Sequence, residues 1–204
     1  MTPSTWFVLD GGSMTSTSQA NPLELLCSDV AAWNSQRAVC DSGSISLVDA
    51  DLAGANLAGA NLAAADLTGA DLSGADLTDA SLAGANLTSA EFVGAVLTRA
   101  DLAGAVAHDA NFTGAFLTRA DLREVDLTMA FLTSTFLGHA DLTGADLSGA
   151  YMTSAFLGDV NLTGATLIGT YLGKANLTGA NLAGAVLDGA DLTGVTMPDG
   201  TEAG

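Results

Sequence analysis

Three carboxylates, Asp101, Asp121 and Asp141, recur at intervals of twenty residues, and so do three rings, Phe116, Phe136 and Phe156. Phe131, Tyr151 and Tyr171 keep the same interval. Side chains able to make and break bonds are sparse by comparison: two histidines, His108 and His139, and two cysteines, Cys27 and Cys40, thirteen residues apart. No His or Cys pair has the spacing of a zinc site. Carboxylates spread regularly over a flat surface lack the cleft that shifts a pKa towards acid–base work. These residue types point away from catalysis, cofactors and metals, and towards a surface at which rings meet a partner.

The neighbouring positions explain the interval. From Leu47 to Met197 every fifth residue is Leu or a close substitute, with Phe92, Phe112, Met152 and Met197 as variants and Ala107 as the one small exception. Two residues earlier stands Ala, replaced only at Ile45, Val125, Thr135, Val160, Thr170 and Val195. A period of five matches neither the 3.6 of a helix nor the 2 of a strand. It fits a short side from which the large residue and the Ala point inward while the other three face water. Gly, frequent two residues after the Leu, relieves the bend into the next side. Sides stacked by backbone hydrogen bonds about 4.8 Å apart form a solenoid with Leu over Leu and Ala over Ala inside.

The motif A-(D/N)-L-x-x, as in ADLTG, ANLAG and ADLSG, resembles the pentapeptide-repeat family over residues 45–199. The resemblance implies an all-β solenoid: a right-handed quadrilateral β-helix, here of about seven to eight 20-residue coils. It also implies a non-enzymatic protein without cofactors. Some members are similar to B-DNA in shape and charge and regulate or protect DNA gyrase or topoisomerase, which is the alternative reading of function.

Residues 41–199 are assigned to the β-helix and 21–40 to an N-terminal α-helical cap. Asn21 stands at an N-cap, Pro22 at the first helical position and Glu24 at the third, and Leu23, Leu26, Cys27, Val30 and Trp33 form one apolar face. Residues 1–20 are expected to be a disordered tail or residues added before a native start at Met14, and 200–204 a C-terminal tail. The last coil is expected to be closed by the Pro198-Asp199-Gly200 turn or by another subunit. The cysteines are read as reduced, partly buried thiols, with a disulfide as the alternative. The start lacks a basic region and no apolar run approaches the roughly 18 residues of a membrane span, so a cytoplasmic location is expected.

The chain carries 23 acidic and 5 basic residues, a formal net charge of −18, which argues against nucleic-acid or anionic-membrane partners. The rings fall in two neighbouring columns. The position before the inward residue runs Asp51, Asp71, Glu91, Asn111, Phe131, Tyr151, Tyr171, Asp191 on one face. On the next it runs Asn56, Asp76, Val96, Phe116, Phe136, Phe156, Asn176, Thr196. An outward aromatic patch is predicted, with Val96 at its edge and Arg99, Arg119 and His139 along its border. Rings at this spacing either stack for stability alone or form a contact surface, the simplest being a homodimer about a two-fold axis. The arginines either mark an interface or neutralise Asp79, Asp101, Asp121 and Asp159. The opposite side carries an acidic face, Asp101, Asp121 and Asp141 with Asp66, Asp126 and Asp146 around the corner. Ala107 leaves space in the core that Phe92 and Phe112, on the neighbouring face, are expected to fill.

Overall fold

A computed structural model describes residues 22–39 and 45–203. The tail 1–20, Asn21 and Cys40 lie outside the described residues. From residue 45 the chain is a solenoid in which each five-residue side pairs, in parallel, with the side twenty residues on. The pairing runs from Ser46 with Asp66 to Asn176 with Thr196 without a slip. Each side contributes a single bridging residue, the one before the inward Leu, rather than an extended strand.

The Leu and Ala columns form one continuous core, essentially free of solvent from Leu47 to Leu177 apart from the partly buried Ala55. Phe92 and Phe112 are fully buried and stack with ring centroids 4.7 Å apart, and Ala107 is buried as well. Two polar residues replace Ala inside. Thr135 and Thr170 are inaccessible and donate their hydroxyls to Phe112 O at 2.7 Å and Leu147 O at 2.8 Å, which offsets the cost of burying them. The bend falls two residues after each inward residue: from Asp49 to Gly194 every such residue has φ between 54 and 72°. Gly takes this left-handed conformation freely, whereas an L side chain there costs about 1–2 kcal/mol.

The N-terminal segment is two helices rather than one, α1 (Pro22–Ser28) and α2 (Val30–Val39). The interruption has a local cause. Ser28 turns its hydroxyl back onto Glu24 O at 2.6 Å, and Asp29 accepts the Ala32 N–H at 2.9 Å as an N-cap inside the segment. Leu26 and Trp33 are buried and Leu23 and Val30 partly so, but Cys27 is exposed, a free thiol rather than a partly buried one. Partial desolvation, and then the charge of Asp51, push that thiol above its ordinary range.

α2 supplies from side chains what a preceding coil would supply from its backbone. Within the solenoid Ser81 N–H donates to Ala60 O, 21 residues earlier; at the first coil Asn61 N–H donates to Asn34 Oδ1 at 2.8 Å. Trp33 Nε1 donates to Asn61 O at 2.9 Å, Asn34 Nδ2 to Gly59 O at 2.8 Å and Arg37 to Ala63 O at 2.5 Å.

The other end is covered on one side only. Residues 200–203, expected as a tail, fold back through the Pro198–Gly200 turn so that Thr196 pairs antiparallel with Glu202 and Ala203 N–H donates to Val195 O at 2.8 Å. The N–H groups of Leu182, Leu187 and Leu192 have no partner among the described residues, and their side chains are only partly buried.

Candidate functional site

Full backbone accounting leaves one amide per side unassigned. Around Leu117, the Leu117 N–H donates to Phe136 O, the Arg119 N–H to Gly138 O, the Ala120 N–H to Leu117 O and the Asp121 N–H to Ala100 O, all at 2.8–3.0 Å. The same four bonds recur on every side from Asp66 to Asn181. The fifth amide, on the residue just after the Leu, has no backbone acceptor.

The residue before the Leu decides its fate. An Asp or Asn there accepts the amide two residues on, as in Thr78 N–H to Asp76 Oδ1 at 2.9 Å, Thr128 to Asp126 at 2.9 Å and Thr163 to Asn161 at 3.2 Å. The acidic-face residues all do this, Asp66, Asp101, Asp121, Asp141 and Asp146 included, each through Oδ1 at 2.9–3.2 Å. A hydroxyl neighbour adds to it: Ser73 and Thr193 donate to Asp71 and Asp191 and hold those carboxyls below the usual range. Where another residue stands there the acceptor is lost, beside Ser81, Glu91, Val96, Val106, Thr166 and Val186 as well as beside the rings. The amides of Thr118, Gly138 and Gly158 on one face, and of Thr133, Thr153 and Gly173 on the next, have no partner among the described residues.

The six rings stand where their spacing places them, outward on adjacent faces. Phe116, Phe136 and Phe156 stack at 4.9 and 4.6 Å; Phe131, Tyr151 and Tyr171 stack at 5.0 and 4.9 Å, with interplanar angles of 7° or less. Stacking and exposure coexist. The end rings Phe116, Phe131, Phe156 and Tyr171 keep 40–46% of their surface in solvent, while Phe136, Tyr151 and the adjoining Val96 are half-buried. Faces covered by neighbours leave the edges outward, and edges carry the positive side of the ring quadrupole.

The basic border is heterogeneous. Arg99 pairs with Asp79 through Nε at 2.6 Å and Nη2 at 2.5 Å, and this hydrogen bonding lowers the Asp79 pKa. His139 Nδ1 lies 3.8 Å from Asp159. Arg119, and Lys174 beside Tyr171, make no ion pair among the described residues. On the acidic face Asp121 is held below the carboxylate range chiefly by Arg123, which reaches its Oδ2 at 2.5 Å.

Lys174, Gly138, Gly158 and Gly173 escape the sequence reading. Their signal was available: Gly on the residue after the Leu, where Ala, Thr or Ser is usual, has no bend to serve. Among the described residues no three His, Cys, Asp or Glu converge to hold a metal ion, and no helix is long and apolar enough to cross a membrane.

A family model described as pentapeptide repeats matches residues 45–82, 80–119, 100–138, 120–159 and 161–197. Among solved structures, the chain is 35% identical to HetL, a pentapeptide repeat protein involved in heterocyst differentiation regulation in the cyanobacterium Nostoc. That match covers 75% of this chain and 78% of HetL with a TM-score of 0.38. It is also 35% identical to a pentapeptide repeat protein of the Arabidopsis thaliana thylakoid lumen, covering 44% of this chain and 66% of that one, TM-score 0.38. It is 20% identical to QnrB1, a plasmid-mediated fluoroquinolone resistance protein, covering 68% and 79%, TM-score 0.40. No curated protein sequence matches it.

Proposed function

The chain belongs to the pentapeptide-repeat family, and on that premise we propose that it is a non-enzymatic interaction rod that self-associates through its aromatic strip. In this reading the rod is a right-handed quadrilateral β-helix of seven to eight coils whose first coil is closed by α1 and α2. The observation that carries it is the strip itself. Six stacked rings occupy two adjacent faces where the repeat elsewhere places Asp or Asn. Exposed apolar area concentrated in this way marks contact surfaces on soluble proteins.

Light scattering on the protein and on a Phe116→Asp, Phe136→Asp variant tests it. Asp is the ordinary residue at both positions, so the variant is expected to fold. An oligomer that becomes a folded monomer supports the reading; two monomers, or two equal oligomers, refute it.

A second reading, regulation or protection of DNA gyrase by DNA mimicry, draws on the acidic faces. Residues 45–199 hold 18 acids and 4 bases, a net −14. Over a rod of about 36 Å, at 4.8 Å per coil, this is about one charge per 2.6 Å, against roughly 1.7 Å for duplex DNA. Loss of gyrase supercoiling in the presence of the protein, reversed by neutralising Asp66, Asp126 and Asp146, would favour it.

A further inference from the structure

Within the reading of self-association through the rings, on which this rests, we propose that the strip docks onto the carboxylate ladder of a second copy, Asp101, Asp121 and Asp141. It does not meet the second copy's rings. The ring strip is a row of donors in consecutive coils; unpartnered amides also occur at Ala83, His108, Ile168 and Asp188 on the acidic faces, but without rings beside them. Each ring that replaced an Asp removed the acceptor of one amide, so Thr118, Gly138 and Gly158 carry N–H groups without partners beside outward ring edges of the same sign.

The three glycines make those amides approachable. A Cβ at Gly138, Gly158 or Gly173 would meet its nearest neighbour at 3.8, 3.9 and 3.7 Å, ordinary contact, and none has a left-handed φ. Neither packing nor backbone geometry asks for Gly there, which is the signature of a place where another chain comes close. At the border, Arg119 and His139 hold φ of 60 and 58°, a conformation Gly takes without strain, and Arg119 has no anionic partner among the described residues.

The matching surface lies on the same molecule, on the next face. Asp101 and Asp141 spend Oδ1 on their own turns and leave Oδ2 without a partner among the described residues, while Asp121 between them holds Arg123, so the outer two carboxylates are the ones open to donors. Donors and carboxylates both repeat once per coil, the pitch that the rings show as 4.6–5.0 Å. A second rod lying alongside is therefore in register at every coil. An extended acidic peptide, whose same-side groups are roughly 6.6 Å apart, loses register after one. Strip against strip would set edge on edge and donor on donor. A contact between two different faces is heterologous, and extends into open stacks unless rotation closes it.

The test mixes two variants. Asp101→Asn, Asp121→Asn, Asp141→Asn keeps the turn, since Asn161 and Asn181 already hold it in the same column, at 3.2 and 3.1 Å, but replaces the free oxygens of Asp101 and Asp141, and the Arg123-bound oxygen of Asp121, by donors. Phe116→Asp, Phe136→Asp removes two of the three rings on the face of Gly138 and Gly158, restores the acceptors of the Thr118 and Gly138 amides, and keeps the carboxylates. By light scattering, each variant alone is expected at monomer mass, and an equimolar mixture at twice that mass and no larger. If the triple variant alone associates like the parent, the rings pair with rings and the proposal fails while self-association stands. If the mixture stays monomeric, the proposal fails too. A monomeric parent overturns both readings.

Discussion

Asp126 and Phe136 occupy the same position in the repeat and meet opposite fates. The backbone around them is the same: Leu127 N–H donates to Asp146 O and Leu137 N–H to Phe156 O, each at 2.8 Å. Asp126 then closes its side, accepting the amide and hydroxyl of Thr128 at 2.9 and 2.7 Å. Phe136 gives the Gly138 amide nothing and stacks between two other rings instead. One exchange thus changes two things at once: it removes a local acceptor and adds apolar area. On the Asp126 side the turn is closed within the chain, and on the Phe136 side it is left open.

The comparison requires that the two sides share one interior. Leu127→Ala and Leu137→Ala, both buried, should each lower stability by about 2–5 kcal/mol, equal within error in chemical denaturation. A much larger loss at Leu137 would show that the rings belong to the core. Next in size is the ring ladder. Phe136 stacks on both sides and Phe156 on one, so at about 0.5–1.5 kcal/mol per pair, Phe136→Ala should cost roughly twice as much stacking energy as Phe156→Ala.

Smaller still is Gly138→Ala. Its Cβ has room, so the substitution should raise stability by about 0.4–1 kcal/mol, by restricting the unfolded chain, while weakening association. A stabilised variant that associates as before would show that the Gly138 surface is not approached. The smallest effect is acid sensitivity. Hydrogen bonds from Ser73 hold the Asp71 carboxyl below its ordinary range, so the unfolded chain binds its proton more readily. That stabilisation is complete above the unfolded pKa of about 3.9 and is lost as pH falls through the lower folded value. Asp71→Asn keeps the turn acceptor and should slightly flatten the loss of melting temperature between neutral and acid pH.

The period of five, the inward Leu and Ala and the two ring columns were legible because each depends only on which residue type recurs. Expectation stopped where an outcome depended on hydrogen-bond partners. That Asp29 would cap inside a helix, or that Thr135 would return its hydroxyl to Phe112 O, is a matter of three-dimensional reach. The free amides beside the rings were hidden for the same reason: only after four of five N–H groups are assigned does the fifth stand out. Cys27 was misread as partly buried because its helical face alone does not say how far the solenoid extends beneath it.

The central claim is that the ring strip is where this rod meets another molecule of itself. Residue-resolved amide hydrogen exchange, compared at a dilute and a concentrated condition, tests it most directly. The account predicts that the Gly138 and Gly158 amides exchange fast when dilute and slow by up to about tenfold on association, as a new hydrogen bond of about 1–1.5 kcal/mol requires, while Thr128 is unchanged. Slowing confined to Leu182, Leu187 and Leu192 at the open end, with Gly138 and Gly158 still fast, would contradict it.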